Sequence, residues 1–344
     1  MSILRQQGQK NVMKNKPVVI AGSGRSGTTW VLDVLAETNN FRPVFEPLNP
    51  NGVKEAWKFT NRYVRENSDE PELKSFMEKV FNSELDCLWT KARIISTKMR
   101  PPISQITSWK DIYTLLALYK KFFIRNFSYA RKKSFPPITK FVRANLMFDW
   151  LVNNFPLRAI FLVRHPGAVI ASQIAASKTK GGAVWDYNGP DVQRVFCQYR
   201  DDEKLKKDYL HKYYQIFSEK LSPVAGMTVI WCIENILPIF NQQKKNRYVF
   251  FYEDIVMQPD REFRHMVKIL GLHRTPDKSI IVRPSQQAPE KMMNQSFEEN
   301  QLTRWMKSFN QEQLGEIDRV LKFFNVTTYS AYEPMPISRT QGVF

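Results

Sequence analysis

The stretch from Val18 to Leu35, VVIAGSGRSGTTWVLDVL, restricts this chain more than any other. Four apolar residues enter a Gly-rich turn and an apolar-periodic segment leaves it, which is the layout of a strand, a phosphate-binding loop and a helix. Gly22 and Gly27 have the spacing of the triphosphate loop G-x-x-x-x-G-K-[ST], but Thr28 stands where the lysine belongs. Successive backbone N–H groups across Gly24, Arg25, Ser26, Gly27, Thr28 and Thr29, at a helix N-terminus, form an anion cradle. Arg25 projects from the loop, and the Thr28 and Thr29 hydroxyls add donors. Such a loop can hold a phosphate without the residue that grips the β and γ phosphates.

A second strand-turn-helix unit reads RAIFLVRHPGAVIASQIAAS, with Pro166 at a first-turn position that needs no N–H. A Mg²⁺-dependent nucleotide triphosphatase places an acid at the end of a neighbouring strand. This strand ends in Arg164, a forked donor suited to phosphate. Ser172 follows in the helix, whose side chains lean back toward its start, so Arg164 and Ser172 can share one anion. Glu253 and Asp254 in FFYEDI are the best candidates for a metal, but without a loop lysine a role in capping the next turn is favoured. Two separate cationic sites and no metal suit a nucleotide with two phosphate-bearing arms.

Strand and helix patterns alternate along the chain, which predicts an α/β fold: a single P-loop-like domain with a central parallel sheet flanked by helices on both faces. A polar tail covers 1–16, the domain 17–328 with a helical insertion at about 52–135, and a C-terminal tail 329–344. Residues 54–85 read as helical, ARIISTKM as a short strand, and NNFRPVFEPLNPNG as turns. Further helices are expected over Val192–Lys220 and Val229–Asn241, and a strand over RYVFFYEDI. The formal charge of +18 calls for an anionic partner: nucleotide, nucleic acid, acidic glycan or membrane surface. Residues 109–133, basic and aromatic, are either a helix packed on the core with a solvated cationic face or an element for an anionic membrane surface. Cys87, Cys197 and Cys232 have no metal or disulfide spacing and read as core residues of a reducing compartment. The polar start of the chain has no secretory pattern, and no apolar run approaches the roughly 18 residues of a membrane span, so a cytoplasmic protein, peripheral at most, is expected.

GSGRSGTTW together with LVRHPGAVIAS resembles the sulfotransferases that use 3′-phosphoadenylyl sulfate (PAPS). The resemblance covers about 17–48 and 138–271, and FEPL at Phe45–Leu48 is similar to the carbohydrate branch of that family. It implies that the first loop binds the 5′-phosphosulfate and that Arg164 and Ser172 bind the 3′-phosphate. It implies in-line, metal-independent transfer to a carbohydrate or glycolipid hydroxyl, with Arg25 and Lys140 facing the charge that moves. Val142 stands where small-molecule members carry a catalytic histidine, and Glu46 matches the carboxylate that serves as base in carbohydrate members. His165 replaces a common Asp, a change expected to affect local packing, and the basic Gly-rich segment that closes the 3′-phosphate site in cytosolic members is not evident. The rival classes are a P-loop small-molecule kinase, which needs a loop lysine and Mg²⁺, and a nucleic-acid-binding protein. The latter rests on charge alone, with no base-reading module in the chain, so no nucleic-acid partner is expected.

Overall fold

A computed structural model describes residues 16–82, 84–85, 87, 89–90, 120, 135–177, 190–240, 247–282 and 300–338. Among these residues five strands form one sheet: β1 (Val18–Gly22), β2 (Arg42–Phe45), β3 (Pro137–Phe141), β4 (Arg158–Val163) and β5 (Tyr248–Phe251), in the order β2-β3-β1-β4-β5. Every pairing is parallel. The strands of β1 and β3 are buried at each position and β4 at all but its first. Successive side chains point to opposite faces, so both faces of the sheet are covered. The expected fold class is the observed one.

Among the described residues, the α-helices of six residues or more are α1 (Thr28–Thr38), α2 (Pro71–Phe81), α3 (Phe148–Asn154), α4 (Pro166–Ser177), α5 (Pro190–Asp201), α6 (Pro223–Phe240), α7 (Tyr252–Met257), α8 (Pro259–Ile269) and α9 (Gln311–Phe323). α1 buries Trp30, Leu32 and Leu35 among others, and Trp30 meets Phe263 of α8 edge-on at 5.6 Å. α9 begins with a reciprocal capping box between Asn310 and Gln313, which satisfies donors at the helix start.

Several expectations change. The FRPVF stretch read as turns contains β2, and Pro43 is tolerated because β2 is an edge strand. The helix read over 54–85 is a 3₁₀ turn at Lys54–Lys58 and then α2, because Pro71 disfavours a helical residue before it and suits a helix start. The Val192–Lys220 helix breaks after α5, where the Asp202 side chain accepts from Leu205 N–H and starts a new turn. α6 starts earlier than expected, at Pro223. β5 ends at Phe251, so Glu253 and Asp254 lie in the first turn of α7 and not at a strand end. Tyr329 and Ala331, in the segment expected to be a tail, are buried in the core. The ARIISTKM strand and the 109–133 helix lie outside the described residues.

Candidate functional site

Parallel pairing sets the carboxyl ends of four strands side by side. Gly22 lies beside Leu162, Ala21 beside Phe141, and Phe45 beside Lys140. The loop after β1, the turn after β4, the segment after β3 and the bend after β2 therefore leave the sheet at one edge, where ligands of open α/β sheets bind.

The loop is tightly determined. Gly27 has φ 89°, and a Cβ there would stand 2.5 Å from the Tyr252 ring. Gly22 has φ 151°, and a Cβ would meet the Leu162 carbonyl oxygen at 2.4 Å. Five non-glycine residues among those described have positive φ; three are asparagines, which tolerate it, and the other two are Arg25 (77°) and Glu46 (44°). Backbone strain outside asparagine is thus confined to two of the expected site residues, a pattern typical of functional positions.

Arg25 joins the two expected phosphate sites. Its Nε donates to Ser172 Oγ at 3.0 Å, and its carbonyl oxygen accepts from Arg164 Nη1 at 2.9 Å. Arg164 lies over the Tyr252 ring at 4.3 Å, and Gln173 Nε2 donates to the Gly24 carbonyl oxygen at 3.1 Å. Ser26 Oγ and Arg164 Nε are buried without a hydrogen-bond partner. Buried polar atoms are nearly always paired, so these two donors, one on each arm of the site, fit an anion supplied from outside the chain. Thr28 and Thr29 are buried at the start of α1.

Lys140 and Glu46 meet on the other side of the loop. Lys140 Nζ is 2.6 Å from Glu46 Oε1 and donates to Thr29 Oγ1 at 2.8 Å. Arg143 Nη1 donates to Glu46 Oε2 at 2.6 Å, and Trp89 Nε1 donates to the Glu46 carbonyl oxygen at 3.0 Å. All three charged side chains are nearly fully buried. Removing one member would leave an uncompensated buried charge.

A third cluster was not foreseen in the sequence. Ser23 Oγ donates to Glu234 Oε2 at 2.7 Å and accepts from Asn145 Nδ2 at 3.2 Å and Asn235 Nδ2 at 2.8 Å. Tyr199 OH donates to Glu234 Oε1 at 3.1 Å. Burial pushes the Glu234 carboxyl up to about 7, against the pull of the Ser23 and Tyr199 hydrogen bonds and of the Arg143 charge. Burial likewise pushes the Tyr199 hydroxyl well up. The available signal was a lone acid inside the apolar run GMTVIWCIENILPIF. Beside this cluster is a cavity walled by Val142, Val169, Val192, Met227, Ile230 and Trp231, with Ser23, Gly24, Arg143, Gln173 and Glu234 supplying its polar lining.

Glu253 stands in the first turn of α7, and its side chain also reaches the turn after β4. It accepts from His165 N–H and from Tyr329 OH, both at 2.9 Å, and so braces the turn that carries Arg164. His165 stacks on Trp305 at 4.1 Å; its Nδ1 accepts from Gly167 N–H at 3.0 Å, which leaves Nε2 to donate to the Ser330 carbonyl oxygen at 2.9 Å. Burial lowers its pKa to about 3, so the ring is neutral at physiological pH. Cys232 is buried, Cys87 and Cys197 are partly so, and all three are free. No described helix is long and apolar enough to cross a membrane.

A family model described as a sulfotransferase domain matches residues 15–329. A sulfotransferase domain from the Synechococcus PCC 7002 olefin synthase superposes with TM-score 0.43 at 15% identity, over 90% of this chain and 95% of that one. Retinol dehydratase, solved with androsterone and the inactive cofactor PAP, gives 0.39 at 14% identity over 93% and 83%. A sulfotransferase from Mycobacterium tuberculosis H37Rv gives 0.34 at 14% identity over 94% and 80%. No curated protein sequence matches the chain.

Proposed function

The chain belongs to the sulfotransferase domain family and is a sulfotransferase, and from that premise we propose that it moves the sulfuryl group of PAPS onto a hydroxyl of a carbohydrate or glycolipid. The observation that carries this reading is Arg25 standing between Ser172 and Arg164, with the orphaned donors of Ser26 and Arg164 on either side. PAPS has two phosphate-bearing arms and needs two such sites close together. The loop amides from Gly24 to Thr29, with Arg25, would hold the 5′-phosphosulfate; Arg164 and Ser172 would hold the 3′-phosphate.

Transfer in line leaves negative charge on the 5′-phosphate, and fixed donors aimed at that charge lower the barrier, as in phosphoryl transfer. Arg25 and the loop N–H groups supply them without a metal. Lys140, already bonded to Thr29 beside the loop, would face the moving sulfuryl oxygens. Glu46 holds Lys140 there, and the resemblance also makes it the proton acceptor. The FEPL motif supports a sugar-bearing acceptor, and the basic aromatic 109–133 segment would suit one presented at an anionic membrane surface.

Truncating a buried phosphate partner costs about 2–5 kcal/mol. Arg164→Ala should therefore weaken PAP far more than adenosine 5′-phosphosulfate, which lacks the 3′-phosphate, in calorimetric titrations. Ser172→Ala should show the same selectivity with a loss of about 1–3 kcal/mol. Equal losses for the two ligands would remove the 3′-phosphate assignment.

A further inference from the structure

Chemistry on an alcohol needs a seat for its body and a group to take its proton, and the cavity beside Ser23 and Gly24 offers both. Its wall is apolar, with Val142 on one side and Met227 and Trp231 of α6 on another. Among the polar groups that line it, Arg143 is a cation, Gln173 is an amide, and the Ser23 hydroxyl already donates once and accepts twice. Glu234 is the one lining side chain able to accept a proton. Each of its oxygens accepts one hydrogen bond, from Ser23 and from Tyr199, which leaves lone pairs for a third donor. Glu46 does not line the cavity, and both its oxygens are held at 2.6 Å by cations.

We propose that this cavity seats the acceptor alcohol, carried on an apolar body, and that Glu234 takes its proton while Glu46 holds Lys140 in place. The proposal rests on the sulfuryl-transfer reading. In the step, the acceptor O–H bond breaks and its electrons form the new O–S bond. The S–O bond to the 5′-phosphate breaks, its electron pair leaves with the phosphate, and the proton moves to a Glu234 oxygen before release to solvent. The partners suit the task. Ser23 is a loop residue, so donor site and base are linked by one hydrogen bond. The titratable and charged groups acting on Glu234 are Arg143 from the segment after β3 and Tyr199 from α5, with Arg194 of α5 acting on Tyr199. A carboxyl that titrates near 7 is half ionised at neutral pH, where a general base works well.

The test uses full-length protein, radiolabelled PAPS and hexyl β-glucoside, a sugar hydroxyl on an apolar chain, with PAP binding and thermal unfolding measured in parallel. The wild-type rate should rise with pH through about 7, following ionisation of Glu234. Glu234→Gln should lose about 10²–10⁴-fold in kcat and lose that rise, with PAP binding and unfolding temperature retained. Tyr199→Phe removes a donor that favours the carboxylate, so the rise should move to higher pH. Glu46→Gln should lower the rate and keep the rise. Loss of the rise in Glu46→Gln, or its persistence in Glu234→Gln, overturns the proposal. Wild-type protein that binds PAP but neither binds nor sulfates hexyl β-glucoside overturns the apolar seat. Wild-type protein that fails to bind PAP overturns the donor reading instead.

Discussion

Glu234 shows how one buried residue sets both chemistry and stability. Its carboxyl titrates near 7 in the folded protein and at the ordinary 4.5 when exposed in the unfolded chain. Between those values the folded state holds the proton more tightly, so stability falls as pH rises through the window. At 1.36 kcal/mol per unit the contribution is of order 3 kcal/mol, lost progressively up to about pH 7. Urea unfolding of wild-type protein between pH 4.5 and 7 should show this decline, and Glu234→Gln should flatten it. An unchanged slope in the variant would mean that the carboxyl titrates normally. At this scale the sequence was legible where the chemistry is local: Arg25, Arg164 and Ser172 sit in two short motifs, and the fold brings them into contact. Ser23, Tyr199 and Glu234 come from three distant segments, with Ser23 and Glu234 211 positions apart, and no local spacing marks them as partners.

Among the elements, β1 and β4 were readable because a strand buried on both faces is a continuous apolar run, here closed by glycine or arginine. β2 was hidden because an edge strand admits a proline and turn residues crowd it on both sides. α4 owes its placement to contacts that no periodicity reveals. Its first turn packs on the 3₁₀ turn Arg304–Ser308, and a Cβ on Gly167 would stand 2.3 Å from the Trp305 ring. Gly167→Ala should therefore push Trp305 away from His165 and cost about 1–3 kcal/mol, the usual penalty for overpacking. Denaturant midpoints would measure the loss. Because Glu253 and His165 fix the turn that carries Arg164, the same variant should also weaken PAP. Stability lost with PAP affinity intact would show that the turn holds its shape without that packing.

For the whole molecule, a formal charge of +18 makes a field that draws anions in from a distance. Screening shortens its reach to about 10 Å at 0.1 M salt. The association rate of PAP, followed by stopped-flow tryptophan fluorescence, should fall steeply with added salt while the dissociation rate changes little. A rate indifferent to salt would leave the charge to some other anion. The hydrogen bond from Arg25 to Ser172 acts at the much shorter range of the proposed site. In it Ser172 Oγ is the acceptor and keeps its own proton, and a guanidinium carries five N–H donors, so both side chains can donate to a phosphate with the bond intact. For the proposed site this means that the two side chains are held in alignment before any ligand arrives, so less order has to be imposed when an anion binds.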